Sequence, residues 1–197
     1  MIVINDRISY IEATEDPLSA DIGIISDGDG CIWLYDVGNG AESIKKLKGK
    51  YRIVLSHFHS DHTGNIDNVD AEELYVSNET FKHVHKGTVV TGDIYAGDMH
   101  IFPLPSCHCK GSLGLEVGGK YAFVGDGTYC KVKDGYYIYN PQLLQEEIRV
   151  LSELSAPYLL VSHLKGLVRK KEEVLEELKE IYSLREKGSP EIRIPIE

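Results

Sequence analysis

The sequence predicts a layered α/β protein. Three observations predict it. Short runs rich in Ile, Trp and Tyr crowd the first third, two helical patterns close the chain, and strands and helices otherwise alternate. With 197 residues, 42% of them hydrophobic, the chain suffices for one domain over 1–197 with a sizeable core. No repeat, low-complexity stretch or linker divides it.

Taken in order, strands are predicted over 9–12, 20–26 and 31–36, with Asp27-Gly28-Asp29-Gly30 as the hairpin turn between the last two. That tetrad lacks the remaining ligands of a calcium loop, so the turn is the better reading. Asp36-Val37-Gly38-Asn39-Gly40 ends the third strand, and 42–48 reads as a short helix. Tyr51 to Leu55 is an apolar strand that stops at Ser56. A strand over 74–77 leads into a helix that runs to His85, with Asn78 as its cap. Further strands are predicted over 89–94, 101–104, 113–117 and 121–124. Helices over 141–154 and 169–185 flank a strand over 158–162. In the last helix Val174, Leu178, Ile181 and Leu184 form an apolar face, and its Lys and Glu residues form a solvated one. The pattern alone leaves the topology open.

A formal net charge of −10, from 31 acidic and 21 basic residues, repels phosphate backbones and anionic membranes. No nucleic-acid partner is expected. No apolar run approaches the roughly 18 residues of a membrane span, and Met1 to Asp6 lacks the pattern of a secretion signal. These features predict a soluble, cytoplasmic protein with a small-molecule substrate. Four cysteines at irregular spacing do not make a disulfide scaffold. Cys107-His108-Cys109 has no second cluster with which to form a zinc finger.

The chemistry concentrates in His57-Phe58-His59-Ser60-Asp61-His62-Thr63-Gly64. Four ligand-type side chains fall within six positions, directly after an apolar strand. In an extended backbone, residues two apart point the same way, so His57 and His59 can grip one ion together. Asp61 and His62 project from the bend that follows and can reach a second, and Gly64 permits the backbone to return. A polar loop whose histidines only hydrogen-bond would explain one of them, not three with an aspartate at this spacing.

These residues match the His-X-His-X-Asp-His signature of the metallo-β-lactamase superfamily, and the resemblance continues downstream. Pro105 to Ser112 resembles the family segment in which a histidine follows a proline turn. Phe123-Val124-Gly125-Asp126 resembles the strand end that supplies a bridging carboxylate. Val161-Ser162-His163 resembles the late strand that ends in the last histidine, and Asp36-Val37-Gly38 the early Asp-X-Gly element. The matches run in family order from about residue 10 to residue 170.

The resemblance implies a four-layer αββα sandwich and a hydrolase that carries two divalent metal ions. It places His57, His59 and His108 around the first ion, and Asp61, His62 and His163 around the second. Asp126 bridges the two, Asp61 and Asp126 are catalytic as well as ligating, and Asp36 orients ligands from behind. Histidine nitrogen with carboxylate oxygen suits zinc and also admits iron or manganese. Family members cleave small esters, thioesters, lactones or phosphoesters with nearly the same cage, so the cage does not name the substrate. The alternative is a redox enzyme on the same scaffold, a sulfur dioxygenase with a single iron. Flavodiiron proteins, which are also similar, place glutamate where His59 stands. A non-catalytic metal-binding module is a third reading, and the filling of all seven ligand positions argues against it.

The sequence departs from the family pattern at Cys107 and Cys109, where glycine and threonine are commoner, and at Leu164-Lys165, where glycine is usual. The thiols are expected to be packing residues rather than ligands. Lys165 and Lys110 stand where they can steer an anionic substrate, the plain alternative being exposed surface. Tyr129, Tyr136, Tyr137 and Tyr139 either line a substrate pocket or pack under a loop; Tyr129 and Lys165 are the pocket candidates. His83, His85 and His100 have no partner motif and read as surface or core residues.

Overall fold

The computed structural model describes residues 1–28 and 30–196. The first half holds β1 (Ile2–Val3), β2 (Ile8–Ile11), a small hairpin of β3 (Thr14–Glu15) and β4 (Leu18–Ser19), β5 (Ile22–Ser26) and β6 (Ile32–Tyr35). Helix α1 (Ala41–Ile44), β7 (Lys50–Val54), α2 (Ser60–Thr63), β8 (Asp70–Ser77), α3 (Asn78–Val84) and β9 (Thr88–Val90) follow. The second half holds β10 (Ile94–Ala96), β11 (Met99–Leu104), β12 (Ser112–Val117), β13 (Tyr121–Gly125), β14 (Lys131–Lys133) and β15 (Tyr136–Tyr139). It closes with α4 (Pro141–Glu153), β16 (Tyr158–Val161), β17 (Val168–Lys170), α5 (Lys171–Ser183) and β18 (Ile192–Pro195).

Two sheets form the middle layers. One has the order β1-β2-β5-β6-β7-β8-β9 and the other β10-β11-β12-β13-β16-β17. Period-two burial explains why they stack. Trp33 and Tyr35 of β6 face the second sheet, while Leu34 between them faces outward. Phe123 of β13 and Leu160 of β16 face inward, while Ala122, Val124, Leu159 and Val161 turn out toward α4 and α5. Tyr35 and Phe123 meet across the interface with ring centroids 5.1 Å apart. On the far side of the first sheet, Ile53, Leu55 and Val76 pack with Ile44 and Val84 of α1 and α3. The layers are therefore helix, sheet, sheet, helix, the predicted αββα sandwich. Each fully buried Ile, Leu or Phe stabilises it by about 1.5–3 kcal/mol relative to exposure.

Several boundaries differ from the sequence reading, each for a local reason. The run 89–94 is two strands: β9 pairs parallel with β8, whereas β10 crosses to the other sheet and pairs with β11. Ser77, not Asn78, caps α3, its side chain accepting the Thr80 N–H at 3.0 Å. Helix α1 stops at Ile44 rather than continuing to Lys48. Arg169 and Lys170 leave the predicted last helix and, with Val168, pair with β16 as an edge strand. The tyrosine-rich segment forms β14 and β15, and β18 pairs with β15, so the chain end belongs to a three-stranded sheet. Ser26 and Ile32 pair across the predicted hairpin, but Asp29 of its turn lies outside the described residues. No described helix is long and apolar enough to cross a membrane.

Helix α4 carries one buried acid. Glu147 is 1% exposed and its Oε1 has no hydrogen-bond partner. Burial pushes its carboxyl well above the usual range, so the folded chain favours the neutral acid. A raised carboxyl stabilises the fold at low pH, and that contribution is lost as pH rises through the folded value. Glu147→Gln, neutral at every pH, should therefore stabilise the protein more at pH 9 than at pH 5. Urea unfolding midpoints at the two values measure the difference; equal midpoint shifts would contradict it.

The strand ends that gather at one edge set up the site. The C-terminal ends of parallel β6 and β7, and of parallel β13 and β16, carry the segments after Tyr35, Val54, Gly125 and Val161. These segments contain Asp36, the histidine motif, Asp126 and His163.

Candidate metal centre

At the end of β6, Asp36 adopts a left-handed φ of 62° and is fully buried. Its carboxylate accepts three hydrogen bonds from the neighbouring motif. Ser56 N–H donates to Oδ1 at 2.7 Å, and Ser56 Oγ donates to Oδ2 at 2.7 Å. His62 Nδ1 lies 2.7 Å from Oδ2. The carboxylate thus fixes the proton on His62 Nδ1 and leaves Nε2 free for another partner. Ser56 Oγ does the same for His57, whose Nδ1 lies 2.9 Å away.

The motif itself combines a strand end with one helical turn. His59 is extended, at φ −63° and ψ 144°, and α2 begins at the next residue. His57 Nε2 comes within 2.9 Å of His59 Nδ1, so the two rings converge as their spacing predicts. Asp61 and His62 follow in the turn. Gly64 is helical at φ −57°, a conformation open to any residue, so the expectation that it serves a special backbone return is corrected. What excludes a side chain is space, because a Cβ there would lie 2.5 Å from Asn39 Oδ1.

Three distant segments complete the arrangement. His108 Nε2 lies 3.1 Å from His59 Nδ1. Its loop is tied down by Ser106, whose Oγ accepts from His108 N–H at 3.0 Å and donates to the Gly127 carbonyl at 2.9 Å. Asp126 follows Gly125, which needs its positive φ of 54° and lacks room for a Cβ beside Ser56. His163, also left-handed at φ 60°, places Nε2 3.1 Å from Asp61 Oδ2.

Two groups of ligand atoms result, each with its members within 4.8 Å of one another: His57, His59 and His108, and Asp61, His62, Asp126 and His163. Asp126 reaches toward both. Its Oδ1 lies 3.3 Å from His62 Nε2 and 3.8 Å from His163 Nε2, whereas Oδ2 lies 3.4 Å from His108 Nε2. His62 Nε2 and Asp126 Oδ1 are buried and make no hydrogen bond. Buried polar atoms in native proteins have partners. Two such atoms turned toward one another, within a set of imidazoles and carboxylates, fit a shared cation.

The electrostatics agree with that fit. Burial and the surrounding imidazoles hold His57 well below the ordinary histidine range, and burial lowers His108. For His62 burial acts downward, yet the Asp36 and Asp126 carboxylates outweigh it and push the imidazole up to about 10. The hydrogen bond to Asp61 raises His163. Asp61 and Asp126 lie below the usual carboxylate range: burial opposes this in each, but His163 and His62 hold Asp61 ionised and chiefly His62 holds Asp126. The carboxylates therefore favour positive charge at the place a cation would take.

No family model matches the sequence, and no curated protein matches it. Solved structures do. A metallo-β-lactamase family protein from Thermus thermophilus superposes with a TM-score of 0.63 at 14% identity, covering 92% of this chain and 81% of its own. The metallo-β-lactamase from Hirschia baltica gives 0.61 at 15% identity, covering 90% of this chain and 98% of its own. The chain has the metallo-β-lactamase fold. The flavodiiron protein from Giardia intestinalis shares that fold, with a TM-score of 0.66 at 12% identity, and this chain spans 59% of its length.

On this fold the other sequence-predicted residues fall as follows. Lys165 lines a cavity of about 370 Å³ that also touches Asp21 and His163. Tyr129 does not line it: its hydroxyl donates to the Ser162 carbonyl at 2.7 Å, and its ring stands 6.5 Å from His108. Lys110 lines a different cavity of about 530 Å³, beside Cys107 and Cys109. Neither thiol belongs to a ligand group among the described residues, and burial pushes both up to about 11, which favours the protonated thiol. Tyr136 and Tyr137 are exposed on β15, while Tyr139 packs against the core under α4 and α5. His83 stacks on Phe58 at 4.3 Å, His85 terminates α3, and His100 sits between Asp93 and Glu116. Sequence reasoning missed Ser56, Ser106, Ser162 and Asp21 as supports of the centre. Adjacency to His57, His108 and His163 was a signal for the three serines; Asp21 had none.

Proposed function

We propose that this chain is a metal-dependent hydrolase that holds two divalent ions, zinc first among them, and acts on a small ester, thioester, lactone or phosphoester. The observation that carries the reading is Asp126, whose two oxygens face different ligand groups while Oδ1 has no hydrogen-bond partner. His57, His59 and His108 would hold one ion, Asp61, His62 and His163 the other, and Asp126 both. When bound, such ions lower the pKa of a shared water to near neutrality and polarise the electrophile.

The chain's own groups then have distinct tasks. By engaging Nδ1, Asp36 and Ser56 orient His62 and His57 so that Nε2 of each is the nitrogen offered to a metal. Asp61 and Asp126, held ionised, accept hydrogen bonds from a water brought between them. The cavity beside His163 receives the substrate, where exposed Leu18 offers apolar contact and Lys165 a positive charge for an anionic substituent. The second reading is a mononuclear iron, sulfur dioxygenase-like oxidoreductase on the same fold, and that the fold is shared with a flavodiiron protein supports redox chemistry on it.

Elemental analysis of protein purified without added metal or chelator separates these. About two zinc ions per chain is the expected result and justifies a panel of ester, thioester, lactone and phosphodiester substrates. Iron near one per chain would move the assignment to the redox reading. No metal, with none taken up on reconstitution, would overturn the cage.

A further inference from the structure

Beyond the seven ligand-type residues and Asp36, a further buried carboxylate touches the second group. Asp21 immediately precedes β5 of the first sheet and is 5% exposed. Its Oδ2 accepts the His163 N–H at 2.9 Å and the Ser162 hydroxyl at 3.3 Å, and its Oδ1 accepts the Ala13 N–H at 3.0 Å. Its own N–H donates to Ser162 Oγ at 3.4 Å. The preceding residue, Ala20, donates its N–H to the Asp61 carbonyl at 2.8 Å. Two adjacent residues of the link between β4 and β5 therefore secure Asp61 and His163, which themselves meet at 3.1 Å.

This support is needed because of how His163 is held. A left-handed backbone is unfavourable for a residue with a Cβ, and His163 adopts it just past the end of β16. The carboxylate fixes that peptide, and with it the direction of the imidazole. The first group is secured differently: Ser56 engages His57, Ser106 engages the His108 loop, and neither bonds to Asp21. Ser56 also bonds Asp36 and lies 3.2 Å from His62 Nδ1, so that support serves both groups, whereas Asp21 serves only the second.

We infer that Asp21 is a positioning residue for the second metal position, and that occupancy of that position, not of the first, depends on it. The inference rests on the two-metal reading above. Removing a group that orients a ligand weakens metal binding by about 10–100-fold. Only one of two ions should feel that loss.

The test is zinc titration of the full chain, stripped of metal, in competition with a chromophoric chelator. Wild type should take up two equivalents. Asp21→Ala should bind the first as tightly as wild type and the second about 10–100-fold more weakly. Asp21→Asn should lose less, because an amide oxygen can still accept the His163 N–H. Asp21→Ser, too short to span its three donors, carries the same expectation as Asp21→Ala and replaces it if circular dichroism shows that variant unfolded. Two ions bound as tightly as in wild type would overturn the inference, and so would equal loss of both ions from a folded variant. If wild type itself takes up no zinc, the two-metal reading has failed instead.

Discussion

Asp126→Ala is expected to loosen both metal positions and abolish turnover while leaving the fold intact. Among the described residues no other side chain places one oxygen toward His62 and His163 and the other toward His108. On the two-metal proposal, its loss removes a ligand from each position at once, together with a negative charge that offsets two cations. Metal affinity should fall by more than the roughly 10–100-fold of an outer-shell change. Turnover should fall by at least about 10²–10³-fold, the size seen when one preorganised charge-stabilising group is removed. The fold should survive because the turn is closed by main-chain bonds that the substitution leaves in place: Gly127 N–H to Val124 carbonyl and Tyr129 N–H to Asp126 carbonyl. Zinc stoichiometry, kcat/KM on any substrate that the wild type turns over, and circular dichroism form the test. Retained metal and activity would sink the bridging assignment.

The second large effect is on stability. Asp36→Ala should cost about 3–5 kcal/mol, the range for breaking a buried charged pair. The carboxylate is fully buried and accepts Ser56 N–H, Ser56 Oγ–H and His62 Nδ1–H. Its removal strands those donors where water cannot reach, at about 1–3 kcal/mol for each group left unpaired, and such penalties do not simply add. Alanine also fits the left-handed backbone at φ 62° poorly. Against a typical total stability of about 5–15 kcal/mol, the loss is large. Asp36→Asn should cost less, since asparagine tolerates that conformation and keeps one acceptor. Urea unfolding of the metal-free proteins measures both. A change below about 1 kcal/mol for Asp36→Ala would show that His62 is held by something else.

The histidine motif was legible because its geometry is local. His57 and His59 converge as alternate residues at a strand end do, and Asp61 and His62 follow within one turn. The strands were legible as apolar runs, but Trp33-Leu34-Tyr35 and Ala122-Phe123-Val124 are buried on both faces, so their sequence does not say which side meets which layer. The sequence by itself thus determined the clustering of histidine and aspartate in one motif, the alternation of strands and helices, and the apolar face that Val174 and Leu178 give α5. The tertiary structure alone decided what those pieces do together. Residues 89–94 could be divided only by knowing which sheet each end joins, and β18 becomes a strand only beside β15. Asp21 and His163 stand 142 positions apart, and their hydrogen bond exists because two sheets stack with their strand ends aligned. Periodicity records which way a side chain faces, whereas its partner depends on long-range packing that no local pattern carries.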